Sequence, residues 1–172
     1  MRIHIYHTND IHSNYDFLKK VHGYLRDHKR ENDFYFDSGD YTDLKNIIVQ
    51  ADQGRSAMEM LMSCGLDGMT LGNNEVDMGY EAVAELVSQN APMIVANVTD
   101  NEDSPIPKMP ASKIYVRAGK RFLVIGIAPF YKEDMTPSGY NVFSMMGNLK
   151  FHPPVELVRK ELDKMKGKYD FC

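Results

Sequence analysis

The chain has 172 residues, 43% of them hydrophobic and 26% charged, with a formal net charge of -4 and 2 cysteines. That length suits one domain with a buried core, and the charge gives no electrostatic footprint for a nucleic-acid polymer or an anionic membrane. No apolar run approaches the roughly 20 residues of a membrane span, and Cys64 and Cys172 lie too far apart to suggest a disulfide framework or a cysteine-ligated zinc site.

In chain order, the N-terminal MRIHIYHTND has no h-region or small-residue cleavage site, so no secretory signal is expected and a cytoplasmic location is the default. Arg2 to His7 reads as the first strand. Phe17, Leu18, Val21, Tyr24 and Leu25 recur at helical spacing and predict an amphipathic helix from Tyr15 to about Arg30. Asp33 to Phe36 is strand-like and runs into Asp37-Ser-Gly-Asp40. Ala57, Leu61 and Cys64 share one helix face, which Gly65 stops. Gly68 to Leu71 predicts a third strand. Ala82, Val83, Leu86 and Val87 form the apolar side of a third helix, ahead of a strand from Met93 to Ala96. Asn97 to Pro110 is a polar, proline-rich excursion. Lys113 to Val116 and Phe122 to Ala128 flank Ala118-Gly-Lys120, a hairpin signal. Val155, Val158, Leu162 and Met165 mark a last helix.

Strands alternating with helices predict an α/β fold with a largely parallel sheet, whose ligands sit at the carboxyl ends of the strands. The first three strands end in Asp10-Ile-His12, in Gly39-Asp40 and in Gly72-Asn73-Asn74-Glu75. Each alone is explained by a turn or a helix cap. Together, on one sheet edge, they bring hard oxygen donors and an imidazole into the combination that Mn²⁺, Fe or Zn²⁺ sites use. A carboxylate shared by two cations holds them roughly 3.5–4 Å apart, and water on such an ion has a pKa of about 7. A neutral Asn ligand would leave the centre net positive, so hydrolysis of a phosphate mono- or diester by a metal-activated hydroxide is expected.

H-T-N-D-I-H (7–12), D-S-G-D-Y-T-D (37–43), G-L-D-G-M-T-L-G-N-N-E-V-D (65–77) and A-N-V (96–98) resemble the 5′-nucleotidase branch of the calcineurin-like metallophosphoesterases, in order and across the whole chain. The resemblance implies a four-layer αββα sandwich, of which this chain would be the first part. It implies two divalent ions (Mn, Zn, Fe or Mg) and a nucleotide or related phosphate ester as substrate. Asp10 and His12 would then bind the first ion, Asp40 would bridge, and Asn73 would bind the second. Asn97 is read either as a wall of the substrate site or as a plain cap. By their place after Asp40, Tyr41 and Asp43 are read either as lining the entrance or as supporting the ligands from behind.

The family pattern at the third motif is G-N-H-E, its His pairing with an Asp three residues on. Here Asn74 takes the His position while Asp77 remains. An amide donates a hydrogen bond but cannot serve as a general acid, a loss that typically costs about 10²–10⁴-fold in rate. The alternative is a non-catalytic metal- or nucleotide-binding module. The other histidines stand outside the motif positions: His22 and His28 read as solvated, His4 and His152 as structural, and His7 as packing behind the ligands.

Lys168 to Cys172 reads as the opening of a further strand. The 172-residue chain is therefore read as a single metallophosphoesterase domain cut short, with its remaining ligands beyond it. In isolation it is expected to be inactive and to self-associate through the unfinished sheet.

Overall fold

The computed structural model describes residues 2–130 and 145–172. Strands β1 (Ile5–Thr8), β2 (Phe34–Asp37) and β3 (Gly68–Met69) form a parallel sheet in that order. Between them run helices α1 (Tyr15–His28), α2 (Ile47–Asp52) and α3 (Arg55–Ser63). Helix α4 (Asn73–Asp77) follows β3 and leads into α5 (Tyr80–Ser88). The expected parallel α/β order is observed.

Side chains alternate across β2, as the period of a strand requires. Tyr35 packs into the main core with Leu18, Leu61 and Val83, while Phe34 and Phe36 face a second apolar cluster with Ile94, Tyr115 and Phe122. The α1 periodicity is equally faithful, burying Leu18 and Leu25, and Asn14 caps the helix through the Phe17 N–H at 3.0 Å.

The predicted hairpin is present as antiparallel β5 (Ser112–Arg117) and β6 (Lys120–Ile125), after β4 (Val98–Asp100). Strand β8 (Leu149–Phe151) pairs with β4 on one side and with β7 (Met145–Met146) on the other, forming a small antiparallel sheet. Helix α6 (Pro154–Met165) then leads to Phe171, which makes one parallel bridge to Phe122 of β6. The terminal segment thus pairs as a strand opening, as expected. No helix among the described residues is long and apolar enough to cross a membrane.

Three segments differ from the sequence reading. Met93 makes only a single parallel bridge to Met69, because the next backbone groups turn to other partners: Val95 N–H bonds Pro110 and Ala96 N–H bonds Gly126. Helix α2 escaped the pattern because six residues burying only Val49 show no period. The excursion after Asn97 is less polar in space than in sequence, since Ile106 and Met109 both enter the main core.

Candidate metal centre

Adjacent parallel strands end at the same edge, so the loops after β1 and β2 and the start of α4 meet there. The first two loops run side by side. Asp10 N–H bonds Gly39 O at 2.9 Å, His12 N–H bonds Asp40 O at 3.0 Å and Ser13 N–H bonds Tyr41 O at 2.9 Å. This course forces Asp10, His12, Ser13 and Asp40 into left-handed conformations with φ between 49° and 59°. Non-glycine residues rarely adopt that region, and such strain collects where a fold aims side chains at a ligand.

The result is a cluster. One ligand atom each from Asp10, His12 and Asp40 lies within 4.8 Å of the others, with Asp10 and His12 exposed and Asp40 half-buried. Asp10 Oδ1 sits 2.9 Å from His12 Nε2. With its amide oriented to suit its neighbours, Asn73 donates from Nδ2 to Asp40 Oδ2 at 3.1 Å, and its oxygen accepts the Asn74 N–H at 3.2 Å. Asp40 Oδ1 also accepts the Asn74 N–H, at 2.9 Å. Hard oxygen donors and an imidazole within one ion's reach fit a divalent cation, and rotation of the Asn73 amide would add its oxygen. A cavity of about 240 Å³ opens beside Asp37 and Ser38, over the ends of β2 and β3.

The remaining sequence-read residues fall in different places. The Asn74 amide lies against the His12 ring. Asp77, at the end of α4, is exposed and has no hydrogen-bonded side-chain partner among the described residues; burial first, and then the charge of Asp40, raise its pKa. Asn97 is fully buried and its amide is committed to backbone: Nδ2 donates to Ala128 O and His152 O, and Oδ1 accepts the Ala128 N–H. That clasp leaves the amide no free polar atom for a substrate. Tyr41 is 0% exposed and packs in the core, so it does not line an entrance. Its hydroxyl titration is pushed far up by burial and by Glu75. His7 is exposed, its Nε2 2.8 Å from Ser38 Oγ at the ends of β1 and β2.

Two buried carboxylates lie behind the site: Asp37, which the sequence reading gave no role, and Glu75, which it placed among the donors at the sheet edge without a role of its own. Asp37 accepts Thr8 Oγ1–H at 2.6 Å and the Gly39 N–H at 2.9 Å, and burial pushes its pKa up to about 6. Glu75 is 0% exposed, and burial pushes it up to about 7 despite hydrogen bonds from Thr42, Gly72 and Asp40. The signal for Glu75 was present in sequence: it stands three residues after the Gly72 N-cap, and it accepts the Gly72 N–H as a capping-box glutamate does.

Residues 3–167 match the calcineurin-like phosphoesterase family. The chain belongs to that family. It is 26% identical over 158 residues to the uncharacterized metallophosphoesterase YunD of Bacillus subtilis, covering 87% of this phosphoesterase chain and 34% of that one. Among solved structures it is similar to a 5′-nucleotidase precursor from Thermus thermophilus, with TM-score 0.74 and 18% identity, over 95% of this chain and 34% of that one. It is also similar to an NAD nucleotidase from Haemophilus influenzae, with TM-score 0.72 and 19% identity, over 95% of this chain and 32% of that one. These likenesses show the fold. The phosphoesterase chain spans about a third of the length of these relatives.

Proposed function

We propose that the chain carries part of the two-metal centre of a phosphoesterase that hydrolyses nucleotide-type phosphate esters. The observation that carries the reading is the convergence of Asp10, His12 and Asp40 within 4.8 Å on the edge where a parallel sheet presents its ligands, with the Asn73 amide against Asp40. Asp10 and His12 would hold one cation, Asp40 would bridge, and Asn73 would reach a second. Divalent ions bound there supply a water nucleophile at neutral pH and positive charge for the phosphoryl oxygens. Asn74, on the same rim, donates a hydrogen bond to a phosphoryl oxygen and transfers no proton. The leaving oxygen therefore takes its proton from elsewhere. Two carboxylates, one imidazole and one amide leave positions on two ions open for water, substrate or further protein groups.

A nucleotide substrate is supported by the two structural neighbours, both named as nucleotidases. The test is a calorimetric titration with Mn²⁺ beside the Asp40→Asn variant, followed by Mn²⁺-dependent release of p-nitrophenol from bis(p-nitrophenyl) phosphate and of phosphate from AMP. Mn²⁺ binding by the chain is expected, and hydrolysis by a longer protein that supplies the remaining ligands, both lost in Asp40→Asn. A variant that keeps the parent's affinity and rate would overturn the reading.

A further inference from the structure

Glu75 lies on α4, with its side chain wholly buried between the loop after β2 and the loop after β3. Its Oε2 accepts the N–H of Asp40 at 2.8 Å and that of Gly72 at 2.9 Å. Its Oε1 accepts the Thr42 N–H at 3.1 Å and the Thr42 hydroxyl at 2.8 Å. One oxygen therefore binds a backbone group of the Asp40 loop and a backbone group next to Asn73 at once. The other oxygen fixes the Asp40 loop a second time, two residues on.

The two loops also touch directly. A Cβ on Gly72 would overlap the Asp40 carboxylate and amide, and one on Gly39 would overlap the Gly72 backbone. Contact that close leaves no room for a side chain between the two loops at either glycine.

We propose that Glu75 is a positioning residue for cation binding, holding Asp40 at the distance from Asn73 that a shared pair of divalent ions needs. The inference rests on the metal-centre reading above. All four groups hydrogen-bonded to Glu75 donate to it, three of them backbone N–H groups that cannot do otherwise, so the requirement is for acceptors on both ends of the side chain. Glutamine has one acceptor and an amino group, and whichever way it turns, its N–H atoms meet backbone N–H groups, those of Asp40 and Gly72 on one side or that of Thr42 on the other. Glutamate is needed here for more than its volume.

The experiment is a calorimetric Mn²⁺ titration of the chain, of Glu75→Gln and of Thr42→Val, run below each protein's unfolding transition with circular dichroism recording the fold. Groups that orient metal ligands typically contribute about 10–100-fold in affinity. Glu75→Gln is expected to bind Mn²⁺ about 10–100-fold more weakly while its circular dichroism stays native. Thr42→Val, which removes one donor and leaves the carboxylate, is expected to lose less in the same direction. A purely structural role would lower the melting temperature and leave the folded protein's affinity unchanged, and that result overturns the proposal while the metal centre stands. An unmutated chain that binds no Mn²⁺ overturns both. Should Glu75→Gln fail to fold, Thr42→Val decides: weakened binding supports the proposal and parental affinity overturns it.

Discussion

The Asn74 amide nitrogen lies 3.4 Å from Nε2 of His12 and 3.5 Å from its Nδ1, and among the described residues it makes no hydrogen bond to Asp77, one turn along its own helix. The rim position proposed to face the phosphate thus lies against the imidazole of the candidate metal cluster and carries only an amide.

Replacing Asn74 by His would put a titratable group on that rim. In a longer protein that supplies the remaining ligands, the expected effect of Asn74→His is a gain of about 10²–10⁴-fold in Mn²⁺-dependent hydrolysis of an alkyl phosphate such as AMP. The gain should be much smaller for p-nitrophenyl esters, whose leaving group needs no proton. The variant's rate should also acquire an alkaline limb, since the imidazole must be protonated to act as an acid. Initial rates against pH for both substrates check this; equal gains on both would show that the position does not serve the leaving group.

Asp37 makes the fold itself pH-dependent. Its folded pKa of about 6 stands above the ordinary 3.8, because burial penalises the charged form. A group raised in this way contributes stability that is fully present below about pH 4 and is lost as pH rises through 6, amounting to roughly 3 kcal/mol. In Asp37→Asn the amide oxygen can still accept the Gly39 N–H, and Nδ2 can donate to Thr8 Oγ1, which then donates to the Tyr35 hydroxyl 2.8 Å away. Between pH 4 and pH 7 the variant's melting temperature should therefore fall less than the parent's, by roughly 5–10 °C. Scanning calorimetry across that range tests it, and parallel curves would refute it.

Glycine 72 has no room for a methyl group against Asp40, whereas Gly23 in α1 has no atom within 4 Å of where a Cβ would sit. Gly72→Ala should push the Asp40 carboxylate aside and weaken Mn²⁺ binding at least about tenfold. Gly23→Ala should leave binding alone and stabilise the helix by about 0.5–1 kcal/mol. Paired titrations and melts of the two variants separate a site effect from a general one. Unchanged binding in Gly72→Ala would mean the loops can part without cost to the cation.

Much of this protein was legible in one dimension. The helical spacing from Phe17 to Leu25, the strand at Asp33 to Phe36 and the Ala118-Gly-Lys120 turn are local, and each formed as read, because neighbours in sequence decide them. Strand order followed, and with it the meeting of Asp10, His12 and Asp40, since parallel strands joined by helices deliver their ends to one edge. Other features were decided only when distant segments met. Glu75 is an acid on a short helix until Asp40 and Thr42, 35 and 33 residues earlier, supply donors to it. Asn97 became a clasp because Ala128 and His152 arrive beside it, and Tyr41, one residue past Asp40, is buried in the main core. Sequence by itself determined which side chains could bind a cation and on which edge. Tertiary structure decided which buried groups hold them there, because a buried donor or acceptor is satisfied by whatever lies across from it in space.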